Sequence, residues 1–406
     1  MSPLSPLTGI RVLEIGAWNA VPSAGALMAD LGADVIKVEP PEGDAFREFQ
    51  MRLAGYDHDF ATNYIFQLDN RGKRSLTVAL DKPGGPELVR RLCGDVDVFV
   101  VNMLARRRER FGLTWEELRA VNPRLICVSF TGYGLRGPDA DRPGFDYAAF
   151  WARSGLMSVI GEPPSPPPIC RGGQGDHTTA LNLLAAVLAA LRLRDLTGEG
   201  QHVEVTLQRT GVWTLGSDIQ SALIAKQQPP RHDRTAPANP LWNTYQAGDG
   251  RWILLAMPRP DPDYWPAFCR AVEREDWIAD AALGSVATRR ERTRELTAAI
   301  AAIFADHSTA YWTARLDEFR LIWAPVATLP EVIADPQLRE MGAFETIDHP
   351  AYGRFETLSV PFSIEGAAIH SRGPAPEVGQ HNERILADLG LSVEEIEALV
   401  MGGVLG

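Results

Sequence analysis

Asp176 and His177 stand side by side, directly after the glycine-rich run Gly172-Gly-Gln-Gly175 and directly before the longest Ala- and Leu-rich stretch of the chain. A carboxylate at the start of a helix can accept hydrogen bonds from the unpaired N–H groups of the first turn, which makes Asp176 a natural helix cap. The same position lowers a carboxyl's pKa through the helix dipole, so Asp176 is expected to be ionised near neutrality and able to attack an electrophile. The two roles are compatible. The glycines before it let a substrate approach the backbone closely, which a cap alone does not require. His177 supplies an adjacent acid or base.

Cations form the second group. Lys37 ends one apolar run; Arg71, Lys73 and Arg74 lie in Asn70-Arg-Gly-Lys-Arg-Ser75; Arg106, Arg107, Arg108 and Arg110 follow another apolar run. Any one of them taken alone reads better as solvated surface charge. Their recurrence at the ends of successive parallel strands would converge them on one sheet edge, where such folds bind ligands, and a polyphosphate is the chemistry that fits. Gly132-Tyr-Gly-Leu-Arg-Gly137 matches the dinucleotide pattern G-x-G-x-x-G, but Pro138 and Pro143 follow in a polar stretch where no helix can open, so it reads as a glycine-rich loop. P-loop, H-E-x-x-H and G-x-S-x-G patterns are absent. The four cysteines (Cys93, Cys127, Cys170, Cys269) show no C-x-x-C spacing, which argues against a zinc ribbon, a redox pair or a disulfide scaffold and fits a reducing cytoplasm; no metal site is expected.

The elements that must position these groups follow from periodicity. Ile10–Ile15 and Ala33–Glu39 read as strands flanking an Ala-rich helix from Pro22 to Leu31, a βαβ unit. The alternation continues with a helix over Pro86–Cys93, a strand over Val96–Val101, a helix over Thr114–Val121 and a strand over Leu125–Phe130. This is the pattern of a doubly wound α/β sheet. A helix is expected over Tyr147–Met157, then a proline-rich loop from Glu162 to Pro168. Asp176–Leu193 should be a helix buried on nearly all sides, followed by a strand over His202–Leu207. Beyond a linker, Arg251–Ala256 reads as a strand, with helices over Tyr264–Val272, Glu291–Phe304 and Thr309–Phe319. A β-like region around Phe355–Phe362 and a helix over Ser392–Met401 close the chain.

The chain has 406 residues, 45% apolar and 23% charged, longer than the roughly 250–300 residues at which one core stops growing, so two domains are expected. The bounds are 1–226 for a large domain, 227–240 for a linker, 241–330 for a small domain and 331–406 for a final part returning to the large one. With 40 Lys plus Arg against 52 Asp plus Glu, the net charge of −12 disfavours nucleic acid and anionic membranes as partners. No signal segment and no spanning apolar run is read in the sequence, and a cytoplasmic location is expected.

Taken together the residues resemble the family III CoA-transferases, a group with formyl-CoA transferase and carnitine and bile-acid CoA-transferases. The resemblance runs over essentially the whole chain. It is carried by Pro6-Leu-Thr-Gly-Ile-Arg-Val-Leu13, Met28-Ala-Asp-Leu-Gly-Ala-Asp-Val-Ile-Lys-Val-Glu-Pro-Pro41, Asn70 to Ser75, Gly112-Leu-Thr-Trp115, Asn122-Pro-Arg-Leu125 and Thr197-Gly-Glu-Gly-Gln-His-Val-Glu-Val205. It implies a Rossmann-like, doubly wound large domain formed by both chain ends, a smaller α+β domain, and an interlocked homodimer. It also implies transfer of CoA from an acyl-CoA to a carboxylic acid through an aspartyl anhydride and an aspartyl-CoA thioester on Asp176. CoA is then a substrate, and no permanently bound cofactor is needed. By the same matching, Asn19, Arg71, Lys73, Arg74, Asn102, Leu104, Arg110 and Tyr133 would contact CoA. Three features depart from formyl-CoA transferase: Asn19 replaces a glutamine, Met103-Leu-Ala-Arg106 replaces aromatic-x-Pro-Gly, and Pro258-Arg-Pro-Asp-Pro262 stands where a glycine-rich loop is expected. An α-methylacyl-CoA racemase shares the fold but needs a histidine where Phe145 stands in Gly144-Phe-Asp146, unless His177 substitutes. A non-catalytic CoA-binding paralogue would lack the nucleophile that Asp176 supplies.

Overall fold

The computed structural model describes residues 3–49, 63–257 and 264–406; Pro258-Arg-Pro-Asp-Pro262 lies outside them. The chain divides into two compact units, one of Met1–Met157, Ile169–Gln227 and Gln337–Gly406, the other of Ser158–Pro168 and Gln228–Pro336.

The first unit is built on six parallel strands: β1 (Arg11–Ile15), β2 (Asp34–Glu39), β3 (Arg74–Thr77), β4 (Val98–Val101), β5 (Ile126–Thr131) and β6 (His202–Thr206), in the order β3-β2-β1-β4-β5-β6. Runs such as Val98-Phe-Val-Val101 are apolar without alternation because both faces of the sheet are covered. The helices that follow these strands in the first part of the unit are α1 (Ala20–Asp30), α2 (Tyr64–Asn70), α3 (Gly85–Cys93), α4 (Ala105–Phe111) and α5 (Trp115–Val121). Val12, Val35, Val98 and Ile126 pack on one face with α1 and a long helix, Gln174–Thr197. Leu13, Ile36, Leu76, Phe99 and Cys127 pack on the other with α3, α5 and the late residues Ile385 and Leu386. The strand order reverses between β1 and β4, and the loops after these two strands diverge to open a crevice at the carboxyl edge of the sheet.

The long helix buries Leu183, Leu184, Val187 and Leu191 but leaves Leu181, Leu188, Leu193 and Leu196 exposed in the single chain, so it is not covered on all sides as its composition suggested. No helix opens after Gly132–Gly137. Among the described residues no helix is long and apolar enough to cross a membrane.

The second unit holds an antiparallel sheet of β7 (Trp242–Gln246), β8 (Trp252–Ala256) and β9 (Trp323–Pro325) over a core that includes Trp265, Phe268, Phe304 and Trp312. The returning tail of the first unit forms the hairpin β10 (Phe344–His349) and β11 (Gly353–Leu358) and then closes the outer edge of β3. Ser75 N–H donates to His381 Nδ1 (3.1 Å), Thr77 N–H to Asn382 Oδ1 (2.9 Å) and Ala79 N–H to the Val404 carbonyl (2.8 Å), so the edge strand has no open ladder there.

Candidate active site

The long helix begins at Gln174 with Gly173 as its cap, in the left-handed region at φ 84°. Asp176 therefore lies in the first turn, inside the helix, and not at the capping position expected of it. What fixes the start of the helix is Asp146, whose Oδ2 accepts the Gly173 N–H at 2.7 Å from the head of a wide-turn helix, Asp146–Ala152. Gly175 is required for that contact. A Cβ there would come within 2.1 Å of Asp146 Oδ1 and 2.3 Å of the Phe150 ring.

The electrostatics reverse the simple dipole expectation. Burial first, then the neighbouring Asp146 carboxylate, push the Asp176 carboxyl up to about 7; His177 works in the opposite direction and Asp69 adds to the rise. Asp146 is itself raised by burial, which the Gly173 and Gly175 N–H groups only partly offset. His177 Nε2 lies 3.1 Å from Asp69 Oδ1, and the same oxygen accepts the Ser23 hydroxyl at 2.6 Å. Burial alone would lower His177, but the bond to Asp69 and the charges of Asp69, Asp176 and Asp146 outweigh it and leave the imidazole above its ordinary value. Three carboxyls thus surround one imidazole, a set contributed by α2, the wide-turn helix and the long helix.

Two clefts open at the crevice. The smaller, about 400 Å³, is lined by Asp176, Asn19, Trp18, Phe145, Leu104 and Thr131, among others. The larger, about 920 Å³, runs along the ends of β1 to β4 and carries Lys82, Arg107 and Arg110. Ala17, Asn102, Met103 and Arg107 line both, so the two are continuous. Asn102 braces the passage, donating from Nδ2 to the Ala17 carbonyl at 2.8 Å. Trp18 has φ 68°, a conformation costly for a bulky side chain, and its ring meets Phe46, Phe49 and Phe145 at centroid distances of 5.5–5.7 Å.

Of the residues read from the sequence, Asp176, Asn19, Asn102, Leu104, Arg106, Arg107 and Arg110 line these clefts. The others point elsewhere. Arg71 is buried against Asp30 Oδ2 (2.6 and 3.0 Å) and also donates to the Leu68 carbonyl. Lys73 gives its donors to Glu14 (2.9 and 3.0 Å), the Pro22 carbonyl and Asn70. Arg74 grips Asp34 Oδ1 at 2.8 Å, at the amino end of β2 and β3. Lys37 is fully buried, on the Gly16 carbonyl (2.7 Å) and Asp44 (2.8 Å). Tyr133 stacks with Arg142 and Arg153 and lines neither cleft. The cations facing the larger cleft include Lys82, in the loop just after β3, a strand whose polar residues hide it in the sequence.

The family model of CoA-transferase family III matches residues 7–382. The chain is 31% identical to (R)-2-hydroxy-4-methylpentanoate CoA-transferase of Clostridioides difficile over 96% of this chain and 97% of that protein. It is 30% identical to succinyl-CoA–D-citramalate CoA-transferase of Chloroflexus aurantiacus over 98% and 97%. It is 28% identical to formyl-CoA:oxalate CoA-transferase of Escherichia coli over 97% and 98%. Among solved structures, a CAIB/BAIF family protein from Brucella suis superposes with TM-score 0.82 at 30% identity, covering 95% of this chain and all of that one. These matches place the chain in CoA-transferase family III: it is an enzyme that moves CoA between acyl groups.

Proposed function

We propose that Asp176 is the nucleophile of this transfer and that CoA lies along the continuous crevice. Its phosphates meet Lys82, Arg107 and Arg110 in the larger cleft, and its pantetheine arm passes Ala17, Asn102 and Met103 to bring the thioester to Asp176 in the smaller one. The Asp176 carboxylate attacks the thioester carbonyl and expels CoA thiolate, leaving a mixed anhydride. The thiolate attacks the aspartyl carbon and releases the donor acid, leaving an aspartyl-CoA thioester. The acceptor carboxylate attacks that thioester, the thiolate departs and returns to the acceptor's acyl carbon, and Asp176 is restored; no proton is gained or lost over the cycle.

The observation that carries this reading is that Asp176 lines a cleft continuous with the larger one, which holds Lys82, Arg107 and Arg110, while lying beside two other carboxyls. Its negative charge is expensive there, and acylation removes it, which favours the covalent states over the resting one. Phe145, at the cleft wall, has no proton to give or take, so isomerase chemistry would need His177 to supply the acid or base. The large unit is read as doubly wound and the active form as a homodimer in which two chains interlock.

Hydroxylamine added during turnover with a panel of acyl-CoA thioesters should leave a hydroxamate on the peptide containing Asp176, located by mass spectrometry. D176A should lose exchange by several orders of magnitude while retaining CoA binding. Exchange that survives D176A would overturn the assignment.

A further inference from the structure

The acceptor in this reaction is an anion that must enter a site already holding Asp69, Asp146 and Asp176. Once Asp176 is acylated its own charge is gone, but two carboxyls remain, so the acid needs a positive or hydrogen-bond-donating seat close to the aspartyl carbon. Of the two clefts, Lys82 and Arg110 line the larger only; Arg106 and Arg107 line the smaller cleft that holds Asp176, just past the end of β4.

Two further polar side chains, Asn19 and His177, converge on Gly173. Asn19 heads α1 in the position where an asparagine ordinarily caps with its side chain, yet it makes no capping bond. Its Nδ2 lies 3.2 Å from where a Gly173 Cβ would stand, and His177 Nδ1 lies 3.8 Å from the same point. Glycine leaves that space empty. His177 is oriented by Asp69, which takes its Nε2 and is in turn fixed by Ser23, so the opposite ring nitrogen faces the gap. The imidazole is 43% exposed, reachable by a small molecule, whereas Asp69 is 1% exposed. The charged or titratable groups facing it are Asp69 from α2, Asp146 from the wide-turn helix and Asp176 from its own helix.

We propose that His177, oriented by Asp69, and Asn19 together seat the carboxylate of the acceptor acid over Gly173, next to the acylated Asp176. This rests on Asp176 being the nucleophile. In the protonated ring both nitrogens donate, so Nδ1–H binds the acid while Nε2–H stays on Asp69. The arrangement is a carboxylate–imidazolium–carboxylate relay in which the buried partner orients the ring and the transient partner is the substrate.

The test separates the acid from the thioester. From a panel of isotope-labelled carboxylic acids, each mixed with its own CoA thioester, the pair giving the fastest exchange with the wild-type enzyme is taken. At mildly acidic pH, H177Q should raise the KM of the acid about tenfold, the loss of one charge-assisted bond of ~1.4 kcal/mol, without a matching rise in the KM of the thioester. In the wild type the acid's KM should climb as pH rises through the imidazole titration. D69N should start that climb at lower pH, and H177Q should abolish it. If the two KM values rise together, or the acid's KM does not move, or its pH dependence survives H177Q, the seat is not at His177. Absence of a hydroxamate on Asp176 in the wild type would instead sink the underlying mechanism, a separate outcome read in the same samples.

Discussion

Asp176 is pulled two ways. The first turn of a helix favours a negative charge, worth typically a few tenths to one kcal/mol, whereas burial beside Asp146 and Asp69 disfavours it more strongly, and burial wins, holding the carboxyl at about 7. The consequence is that the proposed nucleophile is only partly ionised at neutrality. Formation of the covalent adduct should therefore rise with pH as Asp176 ionises and level off above about 7, read by rapid-quench hydroxylamine trapping. Replacing Asp146 by Asn removes one of the two opposing carboxylates and should move this acidic limb to lower pH. The same shift has a stability counterpart. A carboxyl held higher in the folded chain than its ordinary 3.8 favours folding at pH below that value, and the contribution is lost as pH rises through about 7. D176N, which never ionises, should then match the wild type's melting temperature near pH 4 and exceed it by several degrees near pH 8, as followed by differential scanning calorimetry.

At the scale of elements, the crevice depends on one buried ammonium. Lys37, on β2, donates to the Gly16 carbonyl in the loop after β1 and to Asp44 in the loop after β2, and lies 3.5 Å from Glu14, which Lys73 also holds. Gly16 and Asp44 both line the larger cleft. K37M leaves Asp44 buried without its cation and should cost about 3–5 kcal/mol in chemical denaturation, with a rise in the KM of acyl-CoA as the two loops lose their common anchor. This network also explains what was legible in the sequence. Strands β1, β2, β4 and β5 announced themselves as apolar runs, and the glycine-rich turn before an Ala-rich helix located Asp176. Strand β3, Arg74-Ser-Leu-Thr77, reads as polar because its neighbours satisfy it: Asp34 takes Arg74 and Glu39 takes the Ser75 hydroxyl at 2.6 Å. The basic run around it suggested phosphate binding for the same reason. Its carboxylate partners lie 40–59 residues away in the chain, and a linear reading does not pair charges at that distance. Nor did it show that the carboxylates raising Asp176 come from α2 and the wide-turn helix, so the dipole alone set the wrong sign.

Across the whole molecule, the distribution of apolar surface is the remaining question of assembly. The exposed side of the long helix carries Leu181, Leu188, Leu193 and Leu196, and the short helices after β6 expose Trp213 at 85%, Leu223 and Ile224. These side chains gain nothing from facing water, and large exposed apolar patches on soluble proteins mark interaction surfaces. In the proposed homodimer a second copy covers them, and a symmetric pairing buries the same patch on both chains. The tail supports such an assembly without needing it for its own fold: by satisfying the outer edge of β3 through His381, Asn382 and Val404, it removes strand addition at that edge as a route to association. The exposed apolar side chains are the interface proposed. Sedimentation velocity should give twice the chain's mass at micromolar concentration. Converting Trp213 and Ile224 together to Arg should shift the protein to single chains or to aggregates and lower its melting temperature. A wild-type protein that sediments as a single chain, or a double variant that stays two-chain with an unchanged melting temperature, would place the interface elsewhere or remove it.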